Sequence, residues 1–275
     1  MRIIGLVLSV LVVVGIVYST TLRELLTAVL RREESSHGLF VPLLSLYFAW
    51  GKKSELRAIE PAYQIVPGLG VVASGLLLFL LARAFGYFFW ECFSFLIVLS
   101  GLVLCFFGKE IFKQILFPIF FLIFMIPIPE HLYNTLANWV RQGAMTASMQ
   151  ILKLIGMPVL RQDLVMQLPN ITLSIDIGCS GIRYLLSYFV FGIAYAYMYR
   201  TKTSQRVLLV CLTIPISLFA STLRLTFIAL LSYHIGAHMA EYWPHVITSW
   251  LVFFAVLAFF IALDQIIFVT RVREA

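Results

Sequence analysis

A cysteine, an arginine and a histidine carry the chemistry that this sequence can support. Cys179 stands in Gly178-Cys179-Ser180-Gly181, where an alternating stretch gives way to an apolar run. At a helix start the dipole and unpaired N–H groups favour a thiolate, as does a nearby arginine. The same N–H groups can receive an oxyanion, and flanking glycines let a substrate backbone approach closely. Arg224 lies within the apolar stretch 207–233, and an ionisable residue inside a span is expensive and so a functional candidate. His245 follows Trp243-Pro244, a helix start, and can serve as general base toward a thiol. Nucleophile, cation and base together suit nucleophilic catalysis by a thiol. Asp176, Ser180, Gly181, Arg183 and Ser221 are the candidate supporting residues.

Each member also has a bland reading. Cys179 can be a small apolar residue at a helix start, His245 an interfacial histidine, and Arg224 half of a structural ion pair with Asp176, Glu91 or Glu241. Cys92, Cys105 and Cys211 have no comparable setting and read as inert packing. A zinc site is the main rival, because His234, His238, Glu241 and His245 recur at helical spacing. Gly236 interrupts that segment and no His-Glu-x-x-His pattern is present. No metal and no cofactor are therefore expected.

The elements that position these residues follow from composition. Of the 275 residues 61% are hydrophobic and 12% charged, with mean hydropathy +0.98. A soluble domain carries roughly twice that share of charge, so a soluble fold is excluded. The expected class is an all-α polytopic membrane protein, a single domain over residues 1–275. Eight spans are read at roughly 3–19, 38–51, 64–84, 86–107, 112–128, 179–199, 207–233 and 245–269. The second is short enough to be tilted or re-entrant. The first resembles a signal peptide but lacks an Ala-x-Ala cleavage pattern, and is read as a retained anchor.

The net charge of +7 needs no nucleic acid to explain it, because Lys and Arg sit in short connections that set orientation. Lys52, Lys53, Arg57, Lys109, Lys113, Arg200, Lys202 and Arg206 fall on one side together with both tails. That side is placed in the cytoplasm. Counted from Val207 at ~1.5 Å per residue, Arg224 then lies about 26 Å up, in the outer leaflet. Cys179 and His245 open their spans at the same boundary, so the three groups are expected at one height on the extracytoplasmic face.

Two connections fall outside, 20–37 and 129–178. From His131 to Ile155 a face of Leu132, Leu136, Trp139, Val140, Ala144, Ala147, Ile151 and Leu154 predicts an amphipathic helix. Such a helix suits the membrane surface or the bundle. Ile171, Leu173, Ile175 and Ile177 alternate with polar residues, predicting a strand whose partner is Leu164, Met166 and Leu168 across Pro169-Asn170. A small β-hairpin thus feeds into Cys179.

At these residues the sequence resembles the exosortase/archaeosortase family of membrane-embedded, sortase-like cysteine enzymes. The resemblance rests on Ser36-His37-Gly38 entering Val41-Pro42-Leu43, on Phe124-Met125-Ile126-Pro127-Ile128-Pro129, on Gly156-Met157-Pro158-Val159 and on Cys179-Ser180-Gly181-Ile182-Arg183. It continues through Ile214-Pro215-Ile216, Leu223-Arg224-Leu225, and His245 with Trp250. It implies processing of secreted proteins that carry a C-terminal signal: a short motif such as Pro-Glu-Pro, a transmembrane helix and a basic cluster. By position Cys179 is the implied nucleophile, Arg224 the essential cation and His245 the third member. The sequence departs from the pattern at Ser221, where Asn is usual, and at Ser249, where Gly is usual. The implied location is a bacterial inner membrane with both termini cytoplasmic; the partners are the signal-bearing proteins and membrane lipids, and no further domain is expected beyond Ala275. The alternative is a transporter or channel that uses Arg183 and Arg224 for an anionic substrate.

Overall fold

The structure is a computed structural model that describes residues 2–31, 37–169, 171–174, 181–236 and 242–273, with no side-chain description for 2–8, 242–246 and 268–273. Helices dominate it. The chain packs into two compact units, Met1–Pro129 and Glu130–Ala275.

In the first unit, α1 (Arg2–Val17) and α2 (Ser19–Arg31) meet at a bend of 65°. Much of the connection expected as an outer loop at 20–37 is therefore helix, with Leu25 and Val29 buried. α3 (Phe40–Gly51) has 12 residues, about 18 Å of helix, too short to cross a bilayer unaided. A short α4 (Lys53–Ala58) follows. α5 (Ile65–Phe85) and α6 (Phe88–Phe121) then pack closely, with Gly75 against Val98 and Gly101 against Val72. Where two spans were expected, at 86–107 and 112–128, α6 runs through both and is broken at Gly108 (φ 81°). Only glycine fits there, because a Cβ would overlap the Ala62 carbonyl. At the start of α6 the buried Glu91 pairs with Arg83 at 3.2 Å and accepts a hydrogen bond from Thr21 at 3.1 Å.

The second unit holds every candidate catalytic residue. α7 (Glu130–Leu154) is the predicted amphipathic helix, but its packed face is rotated from the expected one. Ala137, Val140, Ala144, Met145, Ser148, Met149 and Leu152 are buried, whereas Leu132, Leu136, Trp139 and Leu154 are exposed. Met145, Met149 and Leu152 of the packed face join Leu225 and Ala229 of α9 and Met166 and Leu173 of the sheet in one core, and helical period alone does not say which of two adjacent apolar stripes is covered. Strands β1 (Leu160–Gln162), β2 (Val165–Leu168) and β3 (Ile171–Ser174) form an antiparallel sheet in chain order. Met166 faces Leu173, and Leu168 faces Ile171. The element is three-stranded, not the two-stranded hairpin expected, because Leu160–Gln162 turns back on β2 through Asp163 (φ 54°).

α8 (Ile182–Tyr199), α9 (Thr203–His234) and α10 (Tyr242–Arg273) complete the unit. Two apolar cores share α9. Toward its C-terminal end, Leu225 and Ala229 pack with Met145, Met149, Met166 and Leu173 of α7 and the sheet. Toward its N-terminal end, Leu209, Ile216 and Ala220 pack with Tyr188 and Tyr195 of α8 and Val256 and Phe260 of α10. Arg224 lies between these two cores.

Eight spans were expected. Among the described residues, four helices are long and apolar enough to cross a membrane: Ile65–Phe85, Phe88–Met125, Thr203–His234 and Ile247–Ile267; the bent α1–α2 pair would make five. α3 falls short by length. α8 falls short by composition, since Arg183 and five tyrosines dilute its apolar residues. An all-α membrane protein is what these helices build.

Candidate active site

Cys179, together with Asp176 and Ser180, lies outside the described residues, and so does the side chain of His245. The structure describes the rest of the candidate set and brings much of it together. Gly181 caps α8 in the left-handed region, at φ 77° and ψ −3°. Its carbonyl accepts hydrogen bonds from the backbone N–H groups of Tyr184 and Leu185, at 3.0 and 3.1 Å. The left-handed turn swings the chain directly onto α9: a Cβ at position 181 would overlap the Ser221 hydroxyl. Ser221 is buried, and its hydroxyl donates to the Ser217 carbonyl at 2.9 Å. The start of α8 is therefore pinned to α9 one helical turn before Arg224.

Arg224 is 4% exposed. Its guanidinium carbon lies over the Tyr184 ring, 5.0 Å from the centroid, a cation–π contact worth ~2 kcal/mol where water is excluded. Arg183, expected beside Arg224 as a second cation, occupies the first turn of α8 and is half-buried. A narrow crevice lies alongside Arg224, lined by Tyr184, Tyr188, Ala220, Ser249, Val252 and Phe253. At about 150 Å³ of empty space it is below the ~300–1,000 Å³ of small-molecule sites. None of that space is wide enough to admit a water molecule, so the residues around Arg224 are packed against one another.

α10 contributes the opposite wall. Ser249 is buried and lines the crevice, and position 245 lies one turn earlier on the same helical face. The Tyr188 hydroxyl donates to the Phe253 carbonyl at 3.0 Å, and the two rings stack at 5.1 Å. These contacts fix the height of α10 against α8. Of the proposed zinc ligands, His238 and Glu241 fall outside the described residues, while His234 closes α9 with its ring edge-on to Tyr233.

Residues 29–262 match the family described as transmembrane exosortase. The chain belongs to that family. No curated protein and no solved structure matches it. Exosortases are membrane proteases and transpeptidases, so membership supports a membrane-embedded processing role.

Two features of this exosortase were missed in the sequence. The aromatic residues Tyr184, Tyr188 and Phe253 carry no motif of their own, and nothing short of the packing reveals that they surround Arg224. Asp264, by contrast, left a signal. It is the sole acid in the apolar run 245–269, and an intramembrane acid should itself have been a candidate. It is fully buried, accepts from Tyr195 at 2.9 Å and from Arg200 Nε at 3.0 Å, and is also held by Arg200 Nη2. Ionisable groups in this unit are therefore not confined to one end of the bundle, because Asp264 and Arg200 join α8 and α10 far from Arg224.

Proposed function

We propose that this exosortase cleaves secreted proteins at a C-terminal sorting signal on the extracytoplasmic face of the bacterial inner membrane, with Cys179 as nucleophile. Both termini lie in the cytoplasm in this reading. The observation that carries it is the seat of Gly181 on Ser221, one turn from the buried Arg224. Cys179 is two residues earlier in the chain, and two residues of chain reach at most about 7 Å. The backbone thus tethers the thiol to the neighbourhood of the one deeply buried arginine described in this unit.

The substrate is a membrane-anchored protein whose motif, helix and basic tail dock laterally, leaving the motif at the outer surface. His245 takes the proton of the Cys179 thiol. The thiolate attacks the carbonyl carbon of the scissile peptide, and Arg224 stabilises the oxyanion, a contribution typically worth 10²–10³ in rate. Collapse breaks the C–N bond. The imidazolium of His245 returns its proton to the leaving amine, and the acyl group stays on sulfur as a thioester. An acceptor amine at the cell surface then attacks the thioester and regenerates the thiol, completing transpeptidation; water in its place gives proteolysis. Gly181 and Ser221 hold the nucleophile's loop, and Arg183 and Asp176 supply charge nearby.

The test is direct. Cys179→Ala should leave a co-expressed substrate full-length, and wild-type enzyme should form a substrate adduct at Cys179 that hydroxylamine releases. Normal processing by Cys179→Ala removes the nucleophile and the mechanism with it. Transport of an anionic solute that survives Cys179→Ser would instead favour a carrier.

A further inference from the structure

We propose that Tyr184 is a positioning residue for Arg224, its ring forming the surface that holds the guanidinium in its working place. The inference rests on the reading above, in which Arg224 stabilises developing negative charge. Tyr184 is where the elements of the site converge. Its backbone N–H closes the first turn of α8 on the Gly181 carbonyl at 3.0 Å, so its position is set by the same left-handed turn that seats the chain on Ser221. Its ring lies under the Arg224 guanidinium at 5.0 Å and beside the Phe253 ring of α10 at 6.1 Å. One side chain therefore touches the cation of α9 and a ring of α10 while standing on the helix that Cys179 precedes.

The chemistry of the contact explains its use. A buried guanidinium needs compensation for lost water, and carboxylates or backbone oxygens provide it by consuming N–H donors. A ring face offers its negative quadrupole and consumes none. A carboxylate in the same place would neutralise the cation and blunt its pull on an oxyanion. An aromatic face restrains the arginine while leaving its N–H donors to other partners. The ring is itself restrained: Tyr188, one turn further on the same face, stacks on Phe253 and donates to the Phe253 carbonyl at 3.0 Å. The guanidinium is thus backed by a stack whose parts come from α8 and α10, and its geometry requires all three helices to be in register.

The experiment follows processing kinetics of a substrate by purified enzyme in proteoliposomes. Tyr184→Phe keeps the ring face and should stay within about threefold of wild type. Tyr184→Leu has comparable bulk without a π face and should lower kcat about ten- to thirty-fold with KM unchanged. Replacing residue 184 by phenylalanines with one, two and three ring fluorines weakens the quadrupole stepwise at nearly constant shape. The logarithm of kcat should fall in proportion to fluorine number. This series also decides the matter if Tyr184→Leu fails to fold. Arg224→Gln run in parallel separates the two readings. If it abolishes turnover while the fluorine series is flat, the role of Tyr184 is overturned and the catalytic reading stands. If Arg224→Gln turns over normally, both fall.

Discussion

Replacing Gly181 by alanine tests how the site is assembled. Two costs can be worked from the geometry. The first is conformational: residue 181 holds φ 77°, where an L side chain costs about 1–2 kcal/mol. The second is steric. The added Cβ would overlap the Ser221 hydroxyl and come within 2.7 Å of the Ser221 Cβ, against the ~3.5–4.0 Å of an ordinary carbon contact. Rotating the hydroxyl away sacrifices its bond to the Ser217 carbonyl, about 0.5–1.5 kcal/mol, and still leaves the carbon–carbon overlap. The start of α8 must therefore move from α9 by about 1 Å, and a displacement of that size at a catalytic centre can cost about 10²-fold. Pulse-chase processing of a reporter substrate, normalised to enzyme level, should show at least that loss in Gly181→Ala. Gly181→Ala combined with Ser221→Gly removes the overlap and keeps only the backbone cost plus about 1 kcal/mol for glycine within a helix. It should process substrate at least about threefold better than Gly181→Ala. Processing by the single mutant within threefold of wild type, or a double mutant no better than the single, refutes this account of the site.

Two further expectations concern the frame. Asp264→Ala leaves Arg200, 15% exposed at its side chain, facing a buried site without its carboxylate, and should destabilise the protein by about 3–5 kcal/mol in detergent unfolding. Arg200→Met with Asp264→Leu should restore most of that; equal losses in single and double mutants would show that no ion pair stabilises the fold. On α7, a cysteine replacing exposed Gln142 or Thr146, in a Cys179→Ala background, should react with an impermeant thiol reagent added outside. One replacing buried Met145 should not. Labelling of position 142 only from the cytoplasmic side would invert the proposed topology.

The legible part of the molecule was the part written in local pattern. Long apolar runs specify helices, because unpaired backbone groups cannot survive in lipid, and α5, α9 and α10 begin and end near their predicted bounds. α7 declared itself through its 3.6-residue period, and the sheet through the alternation of Leu164 to Leu168 and Ile171 to Ser174. Patterns near thresholds were read less well. α3 and α8 have the look of spans without the length or apolarity, whereas the non-helical Gly108 falls between the two helices expected at 86–107 and 112–128. For the site, the sequence singled out Arg224, Gly181 and Ser221 by their cost or their setting, but gave no reason for them to meet.

By itself the sequence determined the class of protein, its helices and its family, since hydropathy, period and motif are properties of neighbouring residues. Which side of α7 is buried, which rings back Arg224 and which arginine holds Asp264 were decided only by tertiary structure. Those contacts join residues dozens of positions apart, 78 in the bond from Thr226 of α9 to Ser148 of α7, and what selects them is the close fit of one helix surface on another. Fit depends on the shapes of both partners at once, and a linear pattern records only one.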